Sequence, residues 1–389
     1  MRYRLLGRSG IRVSEIGLGC EQLQGKEYPV LKAIVDTAID CGVTLFDVFM
    51  PEPTVRTYLG RALAGRRDQI VIQGHIGSTW KDGQYAVSRD MRENRKAFDD
   101  LLERLGTDYI DIGMLHFVDT EEDFFRVSVG ELFEYVRELK KSGTIKVIGM
   151  STHEASLAKR AAESGVIDVV MFSLNPAFDL LPTNVPMGEL MADENAASSM
   201  QNQIDPNRAE LYQSCEQHGT AITVMKAYMA GRLLSAGQSP FGSALTPAQC
   251  IHYALTRPAV ASALIGCETP DEVRAAAAYE TATDMEKDFS EVFRKTLAVE
   301  GKCVYCNHCL PCPSRIDIAQ VNKYLDLATA VQKIPETVSA HYRALTVNAE
   351  DCVLCGDCEE RCPFRVPVRQ RMEDAVRIFG SNGKYLENA

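Results

Sequence analysis

The chain has 389 residues, 46% of them hydrophobic and 24% charged, with a net charge of −11. That length admits one large domain and a small one, and the mixture is that of an ordinary soluble globular protein. The acidic balance excludes a nucleic-acid-binding surface, which needs a basic face. No apolar run approaches a membrane span, and the start MRYRLLGRSG has no secretory apolar core, so a cytoplasmic protein with reduced thiols is expected.

From the N-terminus to about residue 290, short apolar runs alternate with amphipathic segments. The runs predicted as strands are Ser14–Gly19, Val43–Asp47, Ile70–Gly74, Tyr109–Leu115, Val147–Ser151, Val169–Leu174, Ala221–Lys226 and Ala263–Gly266. Their apolar residues do not alternate with polar ones, as expected for parallel strands covered on both faces. Helical spacing fills the gaps at Lys32–Ile39, at Asn94–Leu105 and through Leu132, Val136 and Leu139, with Gly143 placed to end the last of these. Eight strands separated by helices predict a closed (β/α)8 barrel of the TIM type. A doubly wound sheet needs fewer strands, and no G-x-G-x-x-G follows any of them. The stretch from Leu181 to about Asn207 breaks the rhythm and reads as a long loop over the barrel mouth.

Residues 291–389 form the predicted second domain. Eight of the thirteen cysteines fall there in two runs, Cys303, Cys306, Cys309 and Cys312, then Cys352, Cys355, Cys358 and Cys362. C-x2-C-x2-C closed by Cys-Pro wraps a cubane iron–sulfur cluster, so two runs point to two [4Fe–4S] clusters and one-electron chemistry. The competing reading is structural zinc, which also uses C-x2-C pairs but leaves Cys309 and Cys358 without a role. The first run closes with two intervening residues, Leu310 and Pro311, rather than the common three. Between the runs, Ile318, Val321, Leu325 and Ala328 make a helical stripe, and Pro335 suits the first turn of another helix. The remaining cysteines are scattered singly and read as buried small residues, and oxygen-sensitive clusters without disulfides fit an anaerobe.

The N-terminal RYRLLGRSGIRVSEIGLGC, GVTLFD at 42–47, RLGTDYIDIGMLH at 104–116 and GTIKVIGMSTH at 143–153 resemble the aldo/keto reductase family. A barrel followed by a cysteine-rich tail is similar to that family's iron–sulfur branch, and the tail resembles helical two-cluster ferredoxin domains. This resemblance implies a (β/α)8 barrel, carbonyl reduction and, from the ferredoxins, a crossed ligand set. Cys362 would join Cys303, Cys306 and Cys309, and Cys312 would join Cys352, Cys355 and Cys358. It also implies a catalytic Asp–Tyr–Lys–His tetrad. Asp47 and His116 match the Asp and the His. Glu52 stands at the tyrosine position and His75 at the lysine position. Four ionisable groups at strand ends can still be tuned into an acid and a base, with Glu52 and His116 as acid candidates and Asp47 and His75 shaping the field.

In the segment that grips NADP in the family, this chain has Gly266, Cys267, Glu268, Asp271, Glu272 and Arg274, so acids stand where a phosphate would lie. Around a nicotinamide ring, Ser151 survives, Asn175 persists after the sixth strand, and Lys226 could meet a phosphate or carboxylate. NAD(P) or a flavin as further cofactor therefore stays open. The expected function is reduction of a carbonyl or activated C=C of a small organic substrate. Electrons would enter through the clusters from a ferredoxin- or flavodoxin-like donor. The alternatives are a conventional NAD(P)H-dependent carbonyl reductase and a non-enzymatic electron-transfer subunit with a degenerate barrel.

Overall fold

The structure is a computed structural model that describes residues 1–183, 200–201, 203–296 and 301–380. Eight parallel strands close into a barrel: β1 (Ile16–Gly19), β2 (Leu45–Val48), β3 (Val71–Ile76), β4 (Ile110–Leu115), β5 (Ile145–Thr152), β6 (Val169–Ser173), β7 (Ala221–Met225) and β8 (Val260–Gly266). They pair in chain order and β8 closes on β1. The predicted barrel is therefore the observed one, with strand ends moved by a few residues. The long mouth loop expected over 181–207 lies mostly outside the described residues.

Side chains alternate along a strand, so residues two apart share a face. Leu45, Ile112, Met114, Val147, Val169 and Met171 belong to one apolar cluster that fills the barrel. Leu6 and Val13 join that cluster from an antiparallel hairpin of Tyr3–Leu5 with Arg12–Ser14, which closes the floor at the N-terminal strand ends. Helices packed outside the strands bury a second, larger apolar layer. Glycine lets the chain leave a helix in the left-handed conformation, and Gly143 does so at φ 81° after the helix Glu131–Ser142.

A second antiparallel hairpin pairs Ser78–Lys81 with Gln84–Val87 in the connection after β3. Its turn is Asp82-Gly83 with φ of 52° and 77°, the doubly left-handed geometry whose twist suits a two-residue hairpin. Reading strands by apolar runs alone misses it, because its residues are mixed polar and aromatic. The Asp-Gly turn between short runs is the signal that marks it.

The cysteine-rich segment is helical. Its helices are Ile318–Thr329, Glu336–Arg343, Asp357–Arg361 and Val368–Phe379, and no strand occurs among the described residues after Gly266. It docks on the barrel floor. Arg257, just before β8, donates to the carbonyl of Val304, which sits between the first two cysteines. Thr337 donates to the carbonyl of Glu216 at 2.7 Å, and His341 pairs with the Glu216 carboxylate. Burial alone would raise the Glu216 pKa, but His341 and Lys323 more than offset it and hold the carboxyl below its ordinary range. Among the described residues, no helix is long and apolar enough to cross a membrane.

Candidate active site and cluster cradles

The register of β2 and β3 sets Asp47 beside Gln73, and β3 pairs His75 with Met114 on β4. Gln73 and His75 are two apart and so point the same way, into the barrel near its C-terminal mouth. His116 follows β4 directly. The result is a continuous chain of polar contacts. His75 Nε2 lies 2.9 Å from Asp47 Oδ1, and His75 Nδ1 lies 2.7 Å from His116 Nδ1. His116 Nε2 in turn lies 2.6 Å from the hydroxyl of Tyr85, which the Asp82-Gly83 hairpin carries over the mouth. Asp47, His75 and His116 are all buried, whereas Tyr85 keeps 39% of its surface exposed. The tyrosine thus touches the buried imidazole of His116 and the outside of the site.

The carboxylate fixes the direction of every link. Asp47 can only accept when ionised, so His75 Nε2–H donates to it and leaves His75 Nδ1 as an acceptor. His116 Nδ1–H then donates to His75, and the Tyr85 O–H donates to His116 Nε2. All ring nitrogens are satisfied with both imidazoles neutral. Burial first, then the charges of His75, Arg89 and His153, push the His116 pKa well below its ordinary value, consistent with that neutral state. Burial also raises the Tyr85 hydroxyl, with Arg89 opposing and Glu21 and Asp119 reinforcing it. The Phe49 ring stacks on His116, 5.7 Å between centroids, and meets His75 and Tyr85 edge-on. Gln73 Nε2 donates to the same Asp47 oxygen, Oδ1, at 2.6 Å, and its own Oε1 accepts from Thr223.

Glu52 does not join this chain. Its two carboxylate oxygens accept from the backbone N–H groups of Thr54 and Val55, at 2.9 and 2.6 Å, and cap the helix Pro53–Leu63. An acid followed by proline at the first helical position is a helix start, which explains the placement. Three of the four residues expected to converge do so, and Tyr85 is the fourth member.

The residues considered for a cofactor are each engaged within the chain. Ser151 Oγ accepts from the N–H of Phe117 at 2.8 Å. Asn175 is fully buried, donating to the carbonyl of Lys226 and capping a short helix at Phe178. Lys226 Nζ lies 2.6 Å from His153 Nε2, whose Nδ1 is 2.7 Å from Asp119. Burial lowers the Lys226 pKa, against Asp119 and Glu21. After β8, Glu272 accepts from the N–H of Glu268, and Arg274 pairs with Asp271, so the one cation of that segment is already neutralised.

In the C-terminal domain, one cavity is lined by Cys303, Cys306 and Cys309 together with Cys362. A second is lined by Cys352, Cys355 and Cys358 together with Cys312. Each cradle takes three thiols from one run and the fourth from the other, the crossed arrangement the ferredoxin resemblance implies. Among the described residues, no three Cys, His, Asp or Glu side chains are grouped to hold a single ion. Four thiols spread around a cavity suit a multi-iron cluster better than one tetrahedral zinc, which draws its sulfurs to about 2.3 Å. The donor set therefore fits [4Fe–4S] clusters.

Residues 15–242 match the aldo/keto reductase family model, and residues 302–367 match a 4Fe-4S dicluster domain. The chain is 28% identical to the oxidoreductase YqkF of Bacillus subtilis over 70% of this chain and 89% of that protein. It is 30% identical to the aldo-keto reductase YhdN of the same organism over 39% of this chain and 47% of that one. Its fold is similar to the holo form of aldo-keto reductase AKR11C1 from Bacillus halodurans, with a TM-score of 0.59 at 23% identity over 76% of this chain and 96% of that one. The family match covers more than half of the sequence and the eight-stranded barrel carries it, so this chain belongs to the aldo/keto reductase family, extended by a 4Fe-4S dicluster domain.

Proposed function

We propose that the mouth site reduces a carbonyl or activated C=C of a small organic substrate, with Tyr85 as the group that delivers the proton. The observation that carries this reading is the unbroken chain Tyr85–His116–His75–Asp47. The chain stores one proton. When it is added, His75 becomes the imidazolium beside Asp47, and His75 Nδ1–H donates to His116 Nδ1. His116 Nε2–H then donates to the Tyr85 oxygen, whose own proton turns toward the substrate. As the substrate oxygen takes that proton, each link reverses and the chain returns to neutral. For a carbonyl, two electrons and two protons give the alcohol: Tyr85 supplies the proton on oxygen, and the proton on carbon would come from solvent when the electrons arrive singly. Asp47 and His75 do the work that the family assigns to Asp and Lys, stabilising the charge behind the tyrosine. Clusters held by the eight cysteines would supply electrons one at a time.

A second reading, hydride from a nicotinamide bound at the mouth, is favoured by distance. The cradles lie against the floor, and β5 alone runs eight residues. At about 3.3 Å per residue and with barrel tilt, mouth and floor lie roughly 20 Å apart. The acids after β8 oppose it. A panel of aldehydes, ketones and enones, assayed with reduced methyl viologen and with NADH, separates the donors. Tyr85→Phe should lower kcat by about 10²–10⁴-fold at unchanged iron content, whichever donor works. Full turnover by Tyr85→Phe would overturn the assignment, and absence of turnover with every substrate and donor would favour the electron-transfer subunit.

A further inference from the structure

A further cavity lies far from the mouth. It has a volume of about 320 Å³ and lies between the barrel floor and the cluster domain, with Cys312 in its wall. That is the size range of small-molecule sites. Its lining is unusual in what it leaves unsatisfied. Lys323 is 5% exposed, lines the cavity, and makes no hydrogen bond or ion pair among the described residues, its ammonium resting 4.5 Å from the Tyr324 ring. His252 and Asn307 also line the space, and among the described residues their buried Nε2 and Oδ1 atoms have no hydrogen-bond partner. A buried polar group without a partner is costly, and a buried ammonium more so.

The charge balance says what would satisfy Lys323, whose ammonium can only donate. Lys287 and Arg315 also line the cavity, and neither forms an ion pair within the described residues, which makes three uncompensated cations with Lys323. Two carboxylates face them, Asp284 and Asp317. Asp317 is occupied in accepting from the N–H of Gln320, where it caps the helix Ile318–Thr329. Arg2 and Arg4, also in the wall, are paired with Glu15. The first turn of that capped helix opens on the same space, adding the positive end of its dipole. Burial first, with Arg4 and Arg257 adding to it and Glu216 and Asp317 opposing, lowers Lys323 to about 8.

We infer that this floor cavity is a binding site for a small anionic molecule, carrying phosphate or carboxylate groups, gripped by Lys323 and Lys287 against the wall that bears Cys312. An anion there would sit beside a cluster ligand and at the barrel–cluster domain interface, so both domains would contribute to its binding.

The test is calorimetric titration of the full-length, cluster-loaded protein with pyrophosphate and, separately, with citrate. One saturable site per chain is expected for at least one probe, pyrophosphate alone indicating phosphate and citrate alone indicating carboxylate. Lys323→Gln should weaken that binding about tenfold or more, the loss of one charge-assisted contact. Lys287→Gln, at a half-buried position, should weaken it in the same direction and serves as the measure if Lys323→Gln loses iron. No saturable binding of either probe, as for a cavity that holds only water, would sink the proposal. So would unchanged affinity in both variants, which would place the bound probe elsewhere.

Discussion

The two ends of this barrel each bury a histidine whose pKa is depressed, yet they treat its nitrogens in opposite ways. At the mouth, His116 has a partner on both sides and sits within a closed chain that ends on Asp47. At the floor, burial and then Lys287, Arg2, Arg4 and Arg257 push His252 to about 3, while its Nε2 has no partner. The mouth is complete in its own polar contacts and changes state by moving a proton along them. The floor cavity is lined by more cations than carboxylates, and its buried Lys323 has no ion pair among the described residues. A buried network that is internally satisfied suits catalysis, and one that is not suits binding.

That contrast can be broken in several ways. The largest effect should come from the cradles. If each takes its fourth thiol from the other run, Cys306→Ser with Cys362→Ser damages one cradle and should leave about half the iron of about eight per chain. Cys306→Ser with Cys312→Ser damages both and should leave almost none. The reverse result by iron and sulfide analysis would mean that each run closes on itself.

The next largest effect separates the ends functionally. Asp47→Asn removes the negative charge and adds a donor, so the direction of the mouth chain is no longer set, and it should lower kcat by about 10²-fold or more. Lys323→Gln, at the floor, should leave kcat without added anion within about twofold. Equal losses from both would show that the two ends act as one site.

A smaller effect is a pH dependence of stability. Folded His116 stays neutral well below 6.5, whereas the unfolded chain takes up a proton near that value. The unfolded state thus binds more protons, and stability falls as pH drops below about 6.5. His116→Gln should flatten the slope of melting temperature between pH 7 and 5, and an unchanged slope would mean that His116 is not the group held neutral. The smallest effect belongs to Glu52. As a helix cap, its replacement by alanine should cost about 1 kcal/mol, a few degrees at most, with kcat nearly unchanged. A loss of kcat beyond tenfold would return Glu52 to the acid chemistry expected from its alignment with the tetrad tyrosine.

The sequence by itself determined the barrel, the helical cluster domain and the eight thiols, because those are written in local patterns. Apolar runs at strand length, helical spacing and C-x2-C need no knowledge of distant contacts. Asp47, His75 and His116 were legible too, since the strands that carry them were. Glu52 caps the helix Pro53–Leu63 for a local reason, the Glu-Pro helix start, which its family position does not record. What only the tertiary structure decided are the pairings across long separations. Tyr85 meets His116 across thirty-one positions because a polar hairpin folds over the mouth. Lys323, His252 and Asn307 share a cavity because a second domain seats on the floor. A hydrogen bond or an unmet charge depends on where two remote side chains end up, and no spacing along one segment records that.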